Sequence, residues 1–382
     1  MNIERLDIES FKCFKSLQLP LAPLSVLTGF NGAGKSSAIQ PLLLFAQEFR
    51  SSVANPGAIA LNGSLVSLGT VGDVVNRDSR AQTSFSFLTS DEESVGWRLA
   101  PSRDRGSQYM DVLSMNYAGP AGSHSSREVC PAFLRQTKLF QSIQNIVVLS
   151  PVREARLEAY PAPQGAAQIN GNVGVNGEFA PWWYVQCADD EVDEGRRHPE
   201  EERITVRGQI DAWLNELFPG GSVNVEAISK TSLSRLEFGL GTSEWRRPAN
   251  IGYGFSYVFP LLVALLTMRL GQVLVVDTPE GHLHPRAQSV MGMMLAYFAE
   301  AGLQIIVESH SDHLLSGVRL AVKRNLINKD KAALHFFAGK NSEGSIAIIS
   351  PSIDDRGAID CWPEGFFDQT EKDLAELSDW EK

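Results

Sequence analysis

The feature that most constrains this chain is a glycine-rich stretch at residues 29–36, which reads Gly-Phe-Asn-Gly-Ala-Gly-Lys-Ser. Glycine tolerates the positive φ values that let a loop turn its backbone N–H groups inward around an anion. Lys35 can then reach the outer phosphates of a triphosphate as a point charge, and the Ser36 hydroxyl can ligate Mg²⁺. The spacing of these residues is that of a phosphate-binding loop.

The residues on either side of this stretch favour the same interpretation. Residues 24–27 read Leu-Ser-Val-Leu, which is typical of a short buried strand, and apolar residues recur at helical spacing over 36–49. The phosphates would therefore lie at a helix N-terminus, where the backbone favours negative charge. The residues predicted to bind a nucleotide here are Gly29, Phe30, Asn31, Gly32, Ala33, Gly34, Lys35, Ser36 and Ser37.

Composition restricts the class of protein. A net charge of −11 argues against a surface that binds nucleic acid or membrane as a whole, although a local basic patch stays open. The four cysteines are far apart in the sequence and form no Cys-x-x-Cys pair, so neither a disulfide framework nor a zinc ribbon is indicated. We therefore expect a cytoplasmic protein that does not contact the membrane.

The chain divides into segments of different character. Residues 160–203 are first rich in Pro, Gly, Asn and Ala and then strongly acidic, which predicts an exposed insertion or lid; a solvated loop without a task is the alternative. Residues 250–338 alternate loop, helix and buried strand, which indicates an α/β fold. A long α/β segment after an insertion predicts one sheet built from both ends of the chain.

Two apolar runs in the second half end in polar residues. Residues 271–277 read Gly-Gln-Val-Leu-Val-Val-Asp, a buried parallel strand whose last carboxylate, Asp277, would emerge at the ligand-binding edge of the sheet. Asp277 could hold the hydration shell of Mg²⁺, and Glu280 could accept a proton from an attacking water. The alternative for these acids is capping of the next turn. A second run, 303–307, precedes His310, which could orient that water; a lone histidine is more often structural.

A third stretch offers a second anion site. Residues 250–256 read Asn-Ile-Gly-Tyr-Gly-Phe-Ser and precede an apolar helix, so backbone N–H groups and a hydroxyl are available at a helix N-terminus. One triphosphate does not need two such sites in one polypeptide. We therefore interpret Gly252, Gly254 and Ser256 as contacts to a nucleotide that is bound by another copy of the chain.

Taken together, these motifs resemble the ABC-type ATPase heads of the SMC and overcoming-lysogenization-defect (OLD) group. Three segments are similar in sequence to motifs of the AAA-family ATPases that have a C-terminal DUF3696 region. They are residues 277–285, 308–315 and 362–368, the last of which reads Trp-Pro-Glu-Gly-Phe-Phe-Asp. The similarity covers roughly residues 1–75 and 205–370. It implies an α/β P-loop NTPase fold of ABC-ATPase type, with a central mostly parallel sheet, an antiparallel β-subdomain and an inserted middle region.

The resemblance also implies an activity and a set of residue roles. ATP would be bound between two head-to-tail protomers and hydrolysed with Mg²⁺, often in prokaryotic antiphage defence. Lys35 would contact the phosphates during catalysis, and Ser36 and Asp277 would hold the magnesium. Glu280 would be the general base and His310 the sensor of the γ-phosphate.

The implied organisation has three parts and leaves several questions open. Residues 1–150 would form an N-terminal ATPase lobe, 151–204 an inserted loop or lid, and 205–382 a C-terminal ATPase lobe with a DUF3696-like tail. The chain departs from the usual pattern at Gly281, where a larger apolar residue is common. Arg153 is expected either to contact nucleotide or, more simply, to form a surface salt bridge.

The expected partners are a second copy of the chain and a separate effector such as a nuclease or toxin, because no room remains for an appended nuclease. DNA is a possible further partner. Two alternatives stay open at this point. One is a DNA repair or recombination ATPase of the RecF kind, which a basic groove would favour, and the other is a scaffold that binds ATP without hydrolysing it.

Overall fold

The fold was analysed in a computed structural model, which describes residues 1–51, 56–77, 82–101, 104, 106–120, 122–153, 157–165, 168–241, 244–341 and 345–378. The strands are β1 (Ile3–Phe11), β2 (Phe14–Pro20), β3 (Leu24–Gly29), β4 (Ala58–Ala60), β5 (Thr83–Thr89), β6 (Ser94–Ala100), β7 (Tyr109–Gly119), β8 (Gly122–Ser126), β9 (Val147–Leu149), β10 (Tyr160–Pro161), β11 (Gly221–Ala227), β12 (Leu233–Leu240), β13 (Val273–Asp277), β14 (Gln304–Glu308), β15 (Ala332–Lys340) and β16 (Ile346–Ile349). The helices are α1 (Lys35–Arg50), α2 (Val71–Val74), α3 (Lys138–Gln144), α4 (Ala180–Cys187), α5 (Val206–Leu217), α6 (Tyr253–Thr267), α7 (Pro285–Glu300), α8 (Asp312–Lys323) and α9 (Gln369–Leu377).

The central sheet joins strands from both ends of the chain in the order β16-β15-β3-β14-β13-β9. All neighbours pair in parallel except β16, which lies antiparallel at one edge. Strands β3, β13 and β14 are almost continuous apolar runs because helices cover both faces of the sheet. The predicted mostly parallel central sheet is therefore confirmed.

Alternate residues of the central strands face two different cores. In β13, Val273 and Val275 pack on the side of α1, whereas Leu274 and Val276 pack with α6, α7 and α8. This division follows from the two-residue period of a strand, and it explains why nearly every side chain in the strand is apolar.

A separate antiparallel sheet, in the order β2-β1-β5-β6-β7-β4 with β8 beside β7, covers the other side of α1. Buried residues alternate with mostly half-buried ones in β5 and β6, as expected for a sheet that packs one face on the core. The Phe45 ring of α1 stacks on Trp97 of β6 at a centroid distance of 4.0 Å. The antiparallel β-subdomain that the resemblance implies is thus confirmed, and it fixes α1 against the central sheet.

The segment 160–203 is more buried than the sequence suggests. Helix α4 buries Trp183 against the core, and the indole Nε1 donates to the Asn172 carbonyl at 2.8 Å. In the acidic run, Arg196 is also buried and donates to the carbonyls of Leu265 and Met268 at 3.1 and 2.7 Å. The expectation of an exposed segment is wrong for these residues, because a cation there satisfies the last carbonyls of α6. Residues 166 and 167 lie outside the described chain.

Helices α7 and α8, which follow the strands that end in Asp277 and Glu308, pack closely through two glycines. A Cβ atom at Gly292 would overlap the Leu314 carbonyl oxygen, and one at Gly317 would overlap the Ser289 carbonyl oxygen. The two helices can approach this closely only where side chains are missing. Their contact therefore helps to fix the positions of the strand ends in front of them.

We expect Gly317→Ala to lower the free energy of unfolding by about 2 kcal/mol, because the added methyl group forces the two backbones apart. Alanine otherwise stabilises a helix interior by up to about 1 kcal/mol relative to glycine, so a loss would report the close packing. Urea unfolding followed by circular dichroism measures the change. Gly195→Ala is the matched control, since Gly195 is exposed and a Cβ added there would meet its nearest atom only at 3.6 Å. Equal stability of the two variants would contradict this packing.

Candidate active site

The glycine-rich loop connects β3 to α1, and its glycines adopt the backbone conformation that the sequence predicts. The φ angles of Gly29, Gly32 and Gly34 are 127°, 74° and 101°. A side chain at Gly29 would overlap the backbone of Phe337 in β15, so glycine is required there for close strand packing. At Gly32 no heavy atom of the described chain lies within 4 Å of a Cβ position. The loop therefore presents open space on that side.

Lys35 is folded back onto its own loop. Its Nζ donates to the carbonyls of Gly29 and Phe30, both at 3.0 Å, and lies 4.0 Å from Glu308 Oε1. Burial lowers the pKa of Lys35, and the charges of Glu308 and Asp277 oppose that shift. The ammonium group is thus held at the loop by two backbone carbonyl oxygens, which carry only partial negative charge and which phosphate oxygens could replace.

The carboxyl ends of β13 and β14 bring two acids to the same edge as the loop. Asp277 and Glu308 are register partners, and Glu308 is in turn the register partner of Leu27 in β3. The Ser36 hydroxyl donates to Glu308 Oε1 at 3.1 Å. No role for Glu308 was predicted from the sequence, although this residue ends an apolar run in the same way as Asp277 does. Burial, followed by the charge of Asp277, raises the pKa of Glu308.

The two carboxylate oxygens of Glu280 have different surroundings. Oε1 accepts hydrogen bonds from the Ser309 hydroxyl and the His310 backbone N–H, both at 2.8 Å. Oε2 is buried and has no hydrogen-bond partner among the described residues. Only 6% of the residue is exposed, and this burial raises the pKa of Glu280. One oxygen is therefore fixed while the other is available to accept a proton.

His310 lies two residues beyond the end of β14, and the residue is exposed. Partial desolvation and the nearby charge of Lys35 lower the pKa of His310, while Asp277 opposes them. The imidazole is consequently neutral at pH 7, with one nitrogen able to donate and the other able to accept.

The stretch 250–256 forms the start of α6, with Gly252 as the capping residue. Gly252 and Tyr253 are exposed, but Ser256 is only 4% exposed and its Oγ has no partner among the described residues. The Ser256 hydroxyl is therefore buried in this conformation, and its contact with a second protomer stays a prediction. The burial arises because α6 is apolar and buried on every side from Gly254 to Leu266.

Arg153 lies in the interior, where it links α6 to β13. Its Nη1 donates to the Tyr257 carbonyl and its Nη2 to the Asp277 carbonyl at 3.4 Å, and the guanidinium lies 4.0 Å from the centroid of the Tyr257 ring. The expectation of either a nucleotide contact or a surface salt bridge is wrong, since the group is buried against backbone carbonyls. A Cβ at Gly281 would lie 2.7 Å from the Tyr257 ring, which explains the small residue there.

The structure therefore brings five of the residues predicted from sequence to one edge of the central sheet. They come from three distant parts of the chain and are Lys35, Ser36, Asp277, Glu280 and His310. Their individual roles stay predictions. To this set the structure adds Glu308 and Ser309, which contact Ser36 and Glu280 directly.

Comparisons with known proteins agree with this architecture. Family models match residues 1–91 ("AAA ATPase domain"), 188–316 ("AAA domain, putative AbiEii toxin, Type IV TA system") and 327–377 ("Protein of unknown function (DUF3696)"). Two of these models describe AAA-type ATPase domains, and the segments that they match contain the glycine-rich loop and the ends of β13 and β14. The predicted resemblance to AAA-family ATPases with a DUF3696 region is confirmed.

Solved structures show the same fold at low sequence identity. An SMC head bound to the C-terminal winged-helix domain of ScpA is 14% identical, with a TM-score of 0.55, and the match covers 93% of this chain and 98% of that one. An SMC head with an extended coiled coil, bound to the C-terminal domain of ScpA derived from Pyrococcus furiosus, is 13% identical, with a TM-score of 0.53 and complete coverage of both chains. The predicted ABC-ATPase fold class is confirmed.

A search of curated proteins gives no match to this chain. In the portion that the structure describes, no helix combines the length and the apolar character needed to cross a membrane.

We expect Glu280→Gln to raise the free energy of unfolding of the nucleotide-free protein by about 1 kcal/mol at pH 7, because it removes a buried charge. The glutamine carbonyl can still accept from Ser309 and His310. Because burial raises the pKa of Glu280 in the folded state, the gain should shrink as the pH falls and the wild-type carboxylate becomes protonated.

Urea unfolding at pH 7 and at successively lower pH measures this difference. Glu202→Gln is the control for loss of a negative charge, since Glu202 is exposed and its replacement should change the free energy of unfolding by less than about 0.5 kcal/mol. If the Glu280→Gln variant is less stable than the wild type at pH 7, the prediction is wrong, because the folded protein then stabilises the ionised carboxylate.

Proposed function

We propose that this chain is an ATP-hydrolysing subunit that binds Mg·ATP at residues 29–36, associates head-to-tail with a second copy, and thereby controls a separate effector protein. The observation that carries the proposal is the meeting of Lys35, Ser36, Asp277 and Glu280 at one edge of the central sheet. These side chains have the chemistry that a triphosphate, a divalent cation and an attacking water require.

The residues present fit Mg·ATP. The Lys35 ammonium can exchange the carbonyls of Gly29 and Phe30 for phosphate oxygens, and open space lies beside Gly32. Ser36 and Asp277 supply a hydroxyl and a carboxylate, the oxygen ligands that magnesium prefers directly or through water. The bound cation would supply positive charge that neutralises the charge developing on the phosphate oxygens.

Proton transfer is assigned to Glu280. Its buried and unpartnered Oε2 would accept a proton from the attacking water, while Ser309 and the backbone of His310 hold Oε1 in place. The neutral imidazole of His310 would orient the same water or the terminal phosphate. A fixed base and a neutral donor around one reacting water would promote hydrolysis through positioning and charge.

Head-to-tail association is proposed from the start of α6. Gly252 and Tyr253 are exposed at its N-terminus, and the N-terminal end of a helix favours an anion. The two SMC heads described above are complexes with parts of ScpA, which supports expecting a protein partner for a head of this fold. A role in antiphage defence belongs to the proposal through the family resemblance alone.

The activity is tested by phosphate release from ATP in the presence of MgCl₂, together with nucleotide binding. We expect Lys35→Ala to weaken binding by about tenfold or more through loss of a charged contact. We expect Glu280→Gln to retain binding but to lose turnover by about a hundredfold or more. Glu202→Gln should behave like the wild type. Undiminished phosphate release by Glu280→Gln would remove Glu280 from the role of base.

Association through α6 is tested with Gly252→Arg. Gly252 has a negative φ and no heavy atom of the described chain within 4 Å of its Cβ position, so the variant should fold. The added side chain should block a partner's nucleotide and abolish ATP-dependent dimers in light scattering, whereas Gly195→Arg, at another exposed glycine, should not.

Mixing chains separates a contact in trans from one in cis. In a mixed dimer of Gly252→Arg and Lys35→Ala chains, one of the two sites has an intact loop and an intact partner. An equal mixture should therefore recover about a quarter of the wild-type turnover, given random pairing into symmetric dimers. If the mixture stays as inactive as its components, the proposed trans contact is wrong.

A further inference from the structure

Glu308 occupies a central place at the active-site edge that the proposed reaction does not use. It is the last residue of β14, between the strand that leads into the phosphate-binding loop and the strand that ends in Asp277. Only 8% of it is exposed. A buried carboxylate is costly unless other groups compensate its charge, so its contacts indicate what it does.

The first contact orients the Ser36 hydroxyl. Ser36 Oγ donates its single proton to Glu308 Oε1 at 3.1 Å. A hydroxyl has one proton and two lone pairs, so committing the proton to Glu308 leaves the lone pairs directed elsewhere. A cation binds a hydroxyl through a lone pair, and hydrogen bonds of this kind behind a metal ligand set its orientation.

The second contact concerns charge. The same Oε1 atom lies 4.0 Å from Lys35 Nζ, so one carboxylate touches both residues proposed to hold the phosphates and the cation. Asp277 is its register partner on β13, and the charge of Glu280 also acts on it. Asp277, Glu280 and Glu308 thus place three carboxylates at this edge. They repel a polyphosphate without a bound cation much more strongly than a polyphosphate whose negative charge is reduced by a divalent cation.

We propose that Glu308 is a positioning residue that makes nucleotide binding depend on Mg²⁺, by orienting Ser36 toward the cation and by repelling nucleotide that lacks one. The inference rests on the proposed function, because it assumes that the loop binds Mg-nucleotide. It adds a residue that acts through Ser36 and Lys35 and touches neither the phosphates nor the reacting water.

The test measures binding and does not depend on turnover. The affinity of the purified chain for a fluorescent ADP analogue is measured in MgCl₂ and in EDTA at equal ionic strength, and the ratio of the two affinities gives the coupling. We expect Glu308→Gln to reduce this ratio by about tenfold, the size found when a residue behind a metal ligand is replaced. Binding should weaken in MgCl₂ and strengthen in EDTA.

Glu202→Gln is the control. It removes the same charge from an exposed glutamate outside the candidate active site. Its coupling ratio should stay within about twofold of the wild type, since a distant charge in contact with solvent acts weakly. If both variants lose the coupling equally, the proposal is overturned in favour of a general effect of charge.

A second variant keeps the test decisive if Glu308→Gln does not fold. Glu308→Asp retains the charge but is one methylene shorter, so it should lose the hydrogen bond to Ser36. We expect it to bind poorly in EDTA, as the wild type does, and to lose affinity in MgCl₂. Unchanged affinity in MgCl₂ would overturn the orienting role of Glu308.

A double-mutant cycle with Ser36→Ala locates the effect. Without the hydroxyl, Glu308→Gln should no longer weaken binding in MgCl₂, because the two residues act through one contact. Full additivity would overturn the proposed route through Ser36.

A wild-type chain that binds no nucleotide in either buffer would overturn the proposed function itself. Normal Mg-dependent binding by the wild type, together with an unchanged affinity ratio in Glu308→Gln, would overturn this inference alone.

Discussion

The parallel pairing of β3, β14 and β13 is the constraint on which the rest of the structure depends. Parallel strands end at the same edge of a sheet, and this order places the residues that follow β3 beside Glu308 and then Asp277. Residues that are more than two hundred positions apart in the sequence, such as Ser36 and Glu308, therefore meet because of the strand order alone. Helices α7 and α8, which follow β13 and β14 in the chain, stabilise the arrangement through their close packing at Gly292 and Gly317.

The interior also connects the candidate active site to the surface where a second copy is proposed to bind. Arg153 joins the Asp277 carbonyl to the Tyr257 carbonyl, and the Tyr257 ring lies 5.2 Å from the His282 ring in the loop after β13. The Tyr253 ring, at the exposed start of α6, also stacks on His282, with the ring centroids 5.4 Å apart. Packed rings and hydrogen bonds thus join the end of β13 to the first turn of α6.

The sequence predicted the parts of the fold that depend on local patterns. The glycine-rich loop, the apolar strand ending in Asp277 and the parallel sheet all follow from residue spacing and hydrophobicity. The contact of Ser36 with Glu308 could not be predicted in the same way, because it depends on which strand lies beside β3. Long-range packing also explains two features that the sequence did not indicate: Ser256 is buried because α6 is surrounded on all sides, and Arg196 is buried because α6 ends at carbonyls that need a donor.

The convergence of distant segments on one Mg·ATP is tested most directly by hydrogen–deuterium exchange of the Glu280→Gln chain, with and without Mg·ATP. We expect slower exchange in residues 29–37, 277–280 and 308–310 together, and slower exchange in 250–256 only at protein concentrations that allow association. Slower exchange confined to 29–37, with 277–280 and 308–310 unchanged, would contradict a shared nucleotide site.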